Sequence, residues 1–171
     1  ISVVIAVIVR MVLTLPKSSA ALCLMLELDG IAAGAATIGC CAQMIGFATI
    51  SYKDNGLKGL LAQGLGTSML QMPNIYRNWK IWIPPTLASA LIAPVAILIF
   101  QMNNTALESG MGTCGLVGQI GTYNAMKEAH SVSYIFFSIL LLHFVAPAII
   151  SYILYKLMKY NNMALENVIV H

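Results

Sequence analysis

Amide and imidazole side chains recur in or beside the long apolar stretches of this sequence. They are Gln43, Gln63, Gln71, Asn74, Gln101, Asn103, Asn104, Gln119, Asn124 and His143. A polar side chain at membrane depth costs free energy unless it finds a partner, so such residues tend to mark a substrate or ion pathway. Amides and neutral imidazole donate and accept hydrogen bonds, which suits a neutral ligand with many hydroxyl groups, such as a sugar.

Five of these residues are predicted to bind the substrate and to converge on one polar cavity: Gln43, Gln71, Asn74, Gln119 and His143. His143 has an alternative, because a histidine in the middle of a helix can instead bond the backbone of a neighbouring helix. Mid-span carboxylates, which an ion-coupled transporter would need, are scarce. Glu27, Asp29 and Glu108 fall near the ends of predicted helices.

Catalytic and metal-binding patterns are not evident. The histidines have no serine or cysteine partner at a suggestive spacing, and the cysteines form no CxxC or Cys/His pattern. The run GMGTCG at residues 110–115 fits the letters of a dinucleotide-binding motif, but it lacks the strand and the acidic residue which that motif requires. We therefore expect no catalytic residue, no metal and no cofactor.

The composition is that of a membrane protein. Of 171 residues, 59% are apolar and 9% are charged, against about 25% charged in soluble domains. This excludes a cytosolic globule, a disordered tail and a coiled coil. The net charge of +3 is too small and too scattered for a nucleic-acid surface. We expect the chain to lie in a lipid bilayer and to have no nucleic-acid partner.

Three windows reach the length of about 20 apolar residues that a membrane-spanning helix needs. They are residues 31–52, 79–102 and 132–157. Gly30, Gly34 and Gly39 give the first window a small-residue face that favours helix packing. The prediction is an all-α, polytopic transmembrane protein.

Two further apolar stretches, residues 57–72 and 110–126, are too short or too glycine-rich to cross alone. We interpret them as re-entrant broken helices, since irregular backbone at membrane depth is tolerated only inside protein or along a cavity. Each contains one copy of a G-x-G-T pattern, GLGTS at 64–68 and GMGTC at 110–114. The copies hint at an internal repeat of the kind that transporters use.

Charge placement fits this layout. If both short stretches return to the side they left, the basic residues Lys53, Lys58, Arg77, Lys80, Lys156 and Lys159 share one face. Lys and Arg collect in cytoplasmic loops, so that face is assigned to the cytoplasm. The orientation of residues 1–28 stays open, because residues 18–28 are too few to span a membrane as an ordinary helix.

Four ordered blocks resemble a known bacterial membrane family: GCCAQMIGFA at 39–48, QGLGTSMLQMPNI at 63–75, IWIPPTLASA at 81–90 and GMGTCGLVGQ at 110–119. The family is the enzyme IIC-like family of the phosphoenolpyruvate-dependent sugar phosphotransferase system, which also includes proteins described as perfringolysin regulators. The similarity extends from about Ser18 to about Ser151. Members of the family are longer, so residues 1–171 resemble a partial permease domain, the C-terminal half, with the N-terminal half absent.

The resemblance implies a multi-pass permease in the bacterial plasma membrane that carries a sugar inward while a separate IIB protein phosphorylates it. Separate IIA and IIB proteins and a second copy of the chain, in a homodimer, are the implied partners. An alternative keeps the permease fold but acts as a membrane sensor that regulates toxin genes. A sensor could bind a sugar in the same cavity, so the sequence separates the two functions poorly.

Overall fold

The computed structural model describes residues 4–5 and 19–160. In chain order the helices are α1 (Ser19–Met25), α2 (Gly30–Ile50), α3 (Tyr52–Leu61), α4 (Met72–Arg77), α5 (Ile83–Leu98), α6 (Ala106–Ser109), α7 (Val117–Met126), α8 (Val132–Ile139) and α9 (Ala146–Tyr160). Two π-helices continue α3 and α8, at Ala62–Gly66 and Leu140–Val145. Short 3-10 turns occupy Ser68–Gln71, Trp79–Trp82 and Cys114–Leu116. The described residues form no strand, and the all-α prediction is confirmed.

Three helices in the described part of the chain are long and apolar enough to cross a membrane: Gly30–Ile50, Trp79–Leu98 and Val132–Tyr160. They coincide with the three predicted windows. The second ends four residues before the predicted boundary, because the backbone turns out of the helix and reaches a left-handed conformation at Gln101, with φ 49°. Its first turn is a 3-10 turn, and α5 begins at Ile83 with prolines in the first turn, where their missing N–H groups cost nothing.

Burial and hydropathy run in opposite orders among these helices. The helix Gly30–Ile50 is 83% buried with a mean hydropathy of 1.6, whereas Val132–Tyr160 is 33% buried with a mean hydropathy of 2.2. The helix Trp79–Leu98 lies between them on both scales. The least apolar helix thus packs inside the protein, and the most apolar one has the largest exposed share.

Small residues let α2 take this central position. A Cβ at Gly34 would collide with the backbone carbonyl of Met102, and one at Gly46 would lie 2.7 Å from the hydroxyl of Ser151. The backbones of α2 and its neighbours therefore approach more closely than larger side chains would allow. The main apolar core fills the space between α2, α5, α7, α8 and α9, around Ile38, Ile92 and Ile135.

The segment between α2 and α5 returns to the end of α2 at which it begins. The amide of Gln63 donates a hydrogen bond of 2.8 Å to the hydroxyl of Ser51, directly after α2. Farther along, Ile75 and Ile81 belong to the apolar cluster that holds Ile50. This is the path that a re-entrant segment at residues 57–72 requires.

The segment between α5 and α8 approaches α2 from its other end. The N–H of Asn104 donates to the carbonyl oxygen of Gly30 over 3.2 Å. The chain then reaches the middle of α2, where Gly112 packs against Cys40 so closely that a Cβ would lie 2.6 Å from the Cβ of Cys40. It returns through α7, where Thr122 lies 3.3 Å from the amide nitrogen of Asn104. Residues 104–126 therefore form a second folded-back segment.

The tips of the two folded-back segments meet beside α2. The hydroxyl of Thr113 donates a hydrogen bond to the carbonyl oxygen of Gly64 and lies 3.5 Å from the sulfur of Met44. Gly64 and Thr113 belong to the two copies of the G-x-G-T pattern. The copies that the sequence pairs by similarity are therefore in contact in the fold.

Candidate functional site

A buried polar group lies near the middle of two membrane-spanning helices. The amide nitrogen of Gln119, on α7, lies 3.0 Å from Nδ1 of His143 and 3.5 Å from the sulfur of Cys41. His143 is 1% exposed and Gln119 is 8% exposed. Cys41 occupies the centre of α2, so this group, which we call the mid-span group, lies near the midpoint of a helix that is long enough to cross a membrane.

The mid-span group keeps two polar atoms without a partner. Oε1 of Gln119 and Nε2 of His143 are buried and make no hydrogen bond. Because the Gln119 amide nitrogen can only donate, Nδ1 of His143 accepts, and the neutral ring then carries its proton on Nε2. The group therefore offers one free acceptor and one free donor, and leaving such atoms unsatisfied costs about 1 to 3 kcal/mol each.

The backbone at His143 is also irregular. His143 belongs to the π-helix Leu140–Val145, which interrupts an otherwise continuous helix from Val132 to Tyr160. A π-turn inserts an extra residue into the helix and is frequent at functional sites. Here it changes the angular position of His143 relative to α8 and brings the ring against α7.

A second polar group links the first re-entrant segment to α2. The amide nitrogen of Gln71 donates to Oε1 of Gln63 over 2.7 Å, and that of Asn74 donates to Oε1 of Gln71 over 2.9 Å. Gln63 in turn donates to Ser51 over 2.8 Å, and the Ser51 hydroxyl donates to the carbonyl oxygen of Phe47. We call this row of buried side chains, from Ser51 to Asn74, the amide chain. Each amide of the chain is held in its orientation by the hydrogen bond to its neighbour.

Gln63 and Ser51 are the members of the amide chain that the sequence-based site omits. Gln63 lies in the π-helix Ala62–Gly66, and both residues are fully buried. Two features of the sequence mark Gln63: it is an amide within an apolar stretch, and it directly precedes the first G-x-G-T copy. Cys41 is also absent from the sequence-based site. Its contact with Gln119 depends on the packing of α7, which local sequence does not specify.

The five predicted site residues thus fall into two hydrogen-bonded pairs and one further residue. Gln71 is paired with Asn74, and Gln119 with His143. Gln43 is fully buried on α2, eight residues before Ser51. Cys41 and Ser51, one from each group, are about 15 Å apart along the axis of α2 at 1.5 Å per residue.

A third group of polar residues forms hydrogen bonds around the buried side chain of Asn104. The amide nitrogen of Asn104 lies 2.7 Å from the hydroxyl of Thr37 and 3.0 Å from the carbonyl oxygen of Gly118. The carboxylate of Glu108 accepts a hydrogen bond of 2.9 Å from Thr105. These bonds hold α2, α7 and the loop after α5 together, and we assign them a structural role.

The four cysteines of the chain are free thiols and form no disulfide. Cys23, Cys40 and Cys41 are buried, and Cys114 is partly exposed. Burial raises the pKa of Cys23, which lies on α1 outside the spanning helices. Within the described residues no three His, Cys, Asp or Glu side chains come close enough to hold a metal ion.

Comparison with known proteins identifies the family. The family model described as "Phosphotransferase system, EIIC" matches residues 1–169. Searches of curated proteins and of solved structures return no match. The match confirms the resemblance to the permease family, but it does not support the toxin-regulator type. With three helices of membrane-spanning length and a match over nearly its whole length, the chain belongs to the EIIC family of the phosphotransferase system, the family of sugar permease components.

Proposed function

We propose that this chain translocates a sugar across the bacterial plasma membrane and presents it to a separate IIB protein, which phosphorylates it. The observation that carries the proposal is the pair of unpartnered buried atoms in the mid-span group, Oε1 of Gln119 and Nε2 of His143. An orphaned donor and an orphaned acceptor at membrane depth are costly unless a ligand satisfies them.

Sugar hydroxyls match this pair chemically. Each hydroxyl can donate one hydrogen bond and accept others, so a sugar can donate to Gln119 and accept from His143 at the same time. The hydrogen bond of 3.0 Å between the two side chains fixes the tautomer that makes this possible. Both groups are neutral in this arrangement, which favours an uncharged substrate over an ion.

The two re-entrant tips supply an access route. The contact between Thr113 and Gly64 joins the two tips beside Met44. Met44 is three residues from Cys41, which belongs to the mid-span group. In transporters, broken helices that meet at the midplane separate to expose the site to one side at a time. We infer that separation of these tips opens a path from the mid-span group toward the amide chain.

The amide chain continues this polar path toward the C-terminal end of α2, where Ser51 lies two residues before Lys53. Gln71 and Asn74 are 7% exposed or less, and both belong to the predicted site. Gln43 lies on α2 between the two groups. We propose that a sugar leaving the mid-span group exchanges hydrogen bonds with these amides before it reaches the IIB protein at the cytoplasmic surface.

Uptake of labelled sugars tests the proposal. Cells that express the intact gene should accumulate one sugar of a panel of hexoses, hexitols and disaccharides as its phosphate, in a manner that depends on phosphoenolpyruvate. The variants Gln119→Leu and His143→Leu should each reduce that uptake more than tenfold, because each removes a hydrogen bond to a desolvated substrate.

Two matched variants serve as controls. Asn124 is an exposed amide on the same helix as Gln119, and His130 lies in the loop after α7, stacked on Tyr134. Asn124→Leu and His130→Leu should keep uptake near the wild-type rate at equal protein levels in the membrane. Wild-type uptake by Gln119→Leu would refute the role of the mid-span group, and absence of uptake for every sugar would refute the permease function.

A further inference from the structure

A groove rich in lysine and tyrosine lies beside the C-terminal ends of α2 and α9. Its volume is about 630 Å³, and its walls come from the end of α2, the start of α3 and the last turns of α9. None of the five predicted sugar-binding residues lines it. The ionisable groups in its wall are Lys53, Asp54, Lys156, Lys159 and the tyrosines Tyr52, Tyr152 and Tyr155.

The charge of the groove favours an anion. Lys53, Lys156 and Lys159 contribute three ammonium groups, and Asp54 contributes the only carboxylate among its lining residues. These lysines are exposed at the ends of membrane-spanning helices. At such positions lysine stems generally cover apolar surface while the charged ends stay in water or among headgroups. Tyrosines beside them are typical of the membrane–water interface.

An apolar hollow of about 380 Å³ adjoins the groove along α9. It is lined by Tyr152, Ile153, Lys156, Leu157 and Tyr160, so that Tyr152 and Lys156 belong to both. Ile153 and Leu157 are about half exposed, and the helix that carries them is the least buried of the three spanning helices. A basic groove and an exposed apolar hollow are therefore continuous.

We propose that this composite surface binds one anionic phospholipid. Its phosphate group lies among Lys53, Lys156 and Lys159, and its acyl chain lies along Ile153 and Leu157. A soluble phosphate compound would use the lysines but would leave the adjoining hollow unfilled, whereas a phospholipid matches both parts. Basic pockets between helices at the cytoplasmic interface recognise lipid headgroups in this way. The site is distinct from the mid-span group and does not depend on the proposed transport function.

Native mass spectrometry of the full-length protein in detergent tests the proposal. Phosphatidylglycerol should bind at least tenfold more tightly than phosphatidylcholine with the same acyl chains. The double variant Lys53→Gln/Lys156→Gln should lose most of that preference, since each lysine near an anionic lipid surface contributes about a fivefold factor. The double variant Lys58→Gln/Lys80→Gln, at lysines outside the groove but of the same predicted side, should retain it.

Addition of millimolar inorganic phosphate distinguishes a site for a phospholipid from a site for a soluble phosphate compound. If the site belongs to a phospholipid, phosphate leaves phosphatidylglycerol binding unchanged. Lysine-dependent displacement of the lipid by inorganic phosphate would overturn the proposal in favour of a soluble phosphate compound. Equal binding of the two lipids, or wild-type binding by Lys53→Gln/Lys156→Gln with an unchanged elution profile and circular dichroism spectrum, would overturn it outright.

Discussion

Thr113 donates its hydroxyl hydrogen to the carbonyl oxygen of Gly64 and so fastens the tip of one re-entrant segment to the tip of the other. The segments enter beside opposite ends of α2, one after Ser51 and the other after the Asn104–Gly30 contact. The bond is buried and joins residues 49 positions apart in the sequence. The state of this bond therefore reports whether the two tips are together.

Substitution of Thr113 by valine keeps the shape of the side chain and removes the bond. We expect a loss of about 1 to 3 kcal/mol in the free energy of unfolding, because the carbonyl of Gly64 loses a buried donor. Thermal unfolding in detergent measures the change. Thr49→Val is the matched control, since the Thr49 hydroxyl bonds only within α2, to Ile45 over 2.8 Å. Equal effects of the two substitutions would contradict a special role for the tip contact.

The amide chain should behave as one energetic unit. Gln63→Leu removes the acceptor of Gln71 and the donor to Ser51, and Gln71→Leu removes the neighbouring link. In a double-mutant cycle we expect the pair to couple by about 0.5 to 3 kcal/mol, because each single variant already breaks the shared bond. Chemical denaturation of the purified protein gives the free energies. Strict additivity of the two losses would show that the chain does not act cooperatively.

Gly34 and Gly66 should respond differently to alanine. A Cβ at Gly34 collides with the carbonyl of Met102, whereas a Cβ at Gly66 has no atom within 4 Å. We expect Gly34→Ala to cost about 1 to 3 kcal/mol or more, as overpacking does. Gly66→Ala should leave the unfolding temperature nearly unchanged. A stable Gly34→Ala protein would require α2 to lie farther from the loop after α5.

Thiol labelling should single out Cys114. Cys23, Cys40 and Cys41 are buried and Cys114 is partly exposed. The thiolate is the reactive form, and the raised pKa of Cys23 lowers its thiolate fraction at any pH below that value, which slows its alkylation further. Peptide mass spectrometry after a brief maleimide treatment near neutral pH should find Cys114 modified first. Denatured protein should label at all four positions, and early labelling of Cys23 in the folded protein would contradict its burial.

The spanning helices were predictable because their signal is local. Length and apolar composition located all three, and the charged residues that bound them, such as Lys53 and Asp29, fixed most ends within a few residues. The end at Leu98 was misplaced because Ile99 and Phe100 are as apolar as the helix, while the backbone turns there to place Asn104 against Gly30. That contact is tertiary and leaves no local mark in the sequence.

The candidate site was predictable in residue type and only partly in arrangement. Buried amides and a mid-span histidine were evident from their apolar surroundings. The pairing of Gln119 with His143 depends on a π-turn and on the packing of α7 against α2, and neither follows from hydrophobic periodicity. The inclusion of Ser51 and Gln63 in one chain with Gln71 depends on the return path of the first re-entrant segment.

The inverse order of burial and hydropathy has a consequence for biogenesis. The ribosome makes α2 before α5 and α9, so the translocon must release the least lipophilic span into lipid before the helices that enclose it exist. The helix that is most buried in the folded protein is thus the one with the weakest tendency to enter lipid during synthesis. Polar substitutions on α2 should therefore first reduce the yield of integrated chains, before any defect appears in the properties of the molecules that fold.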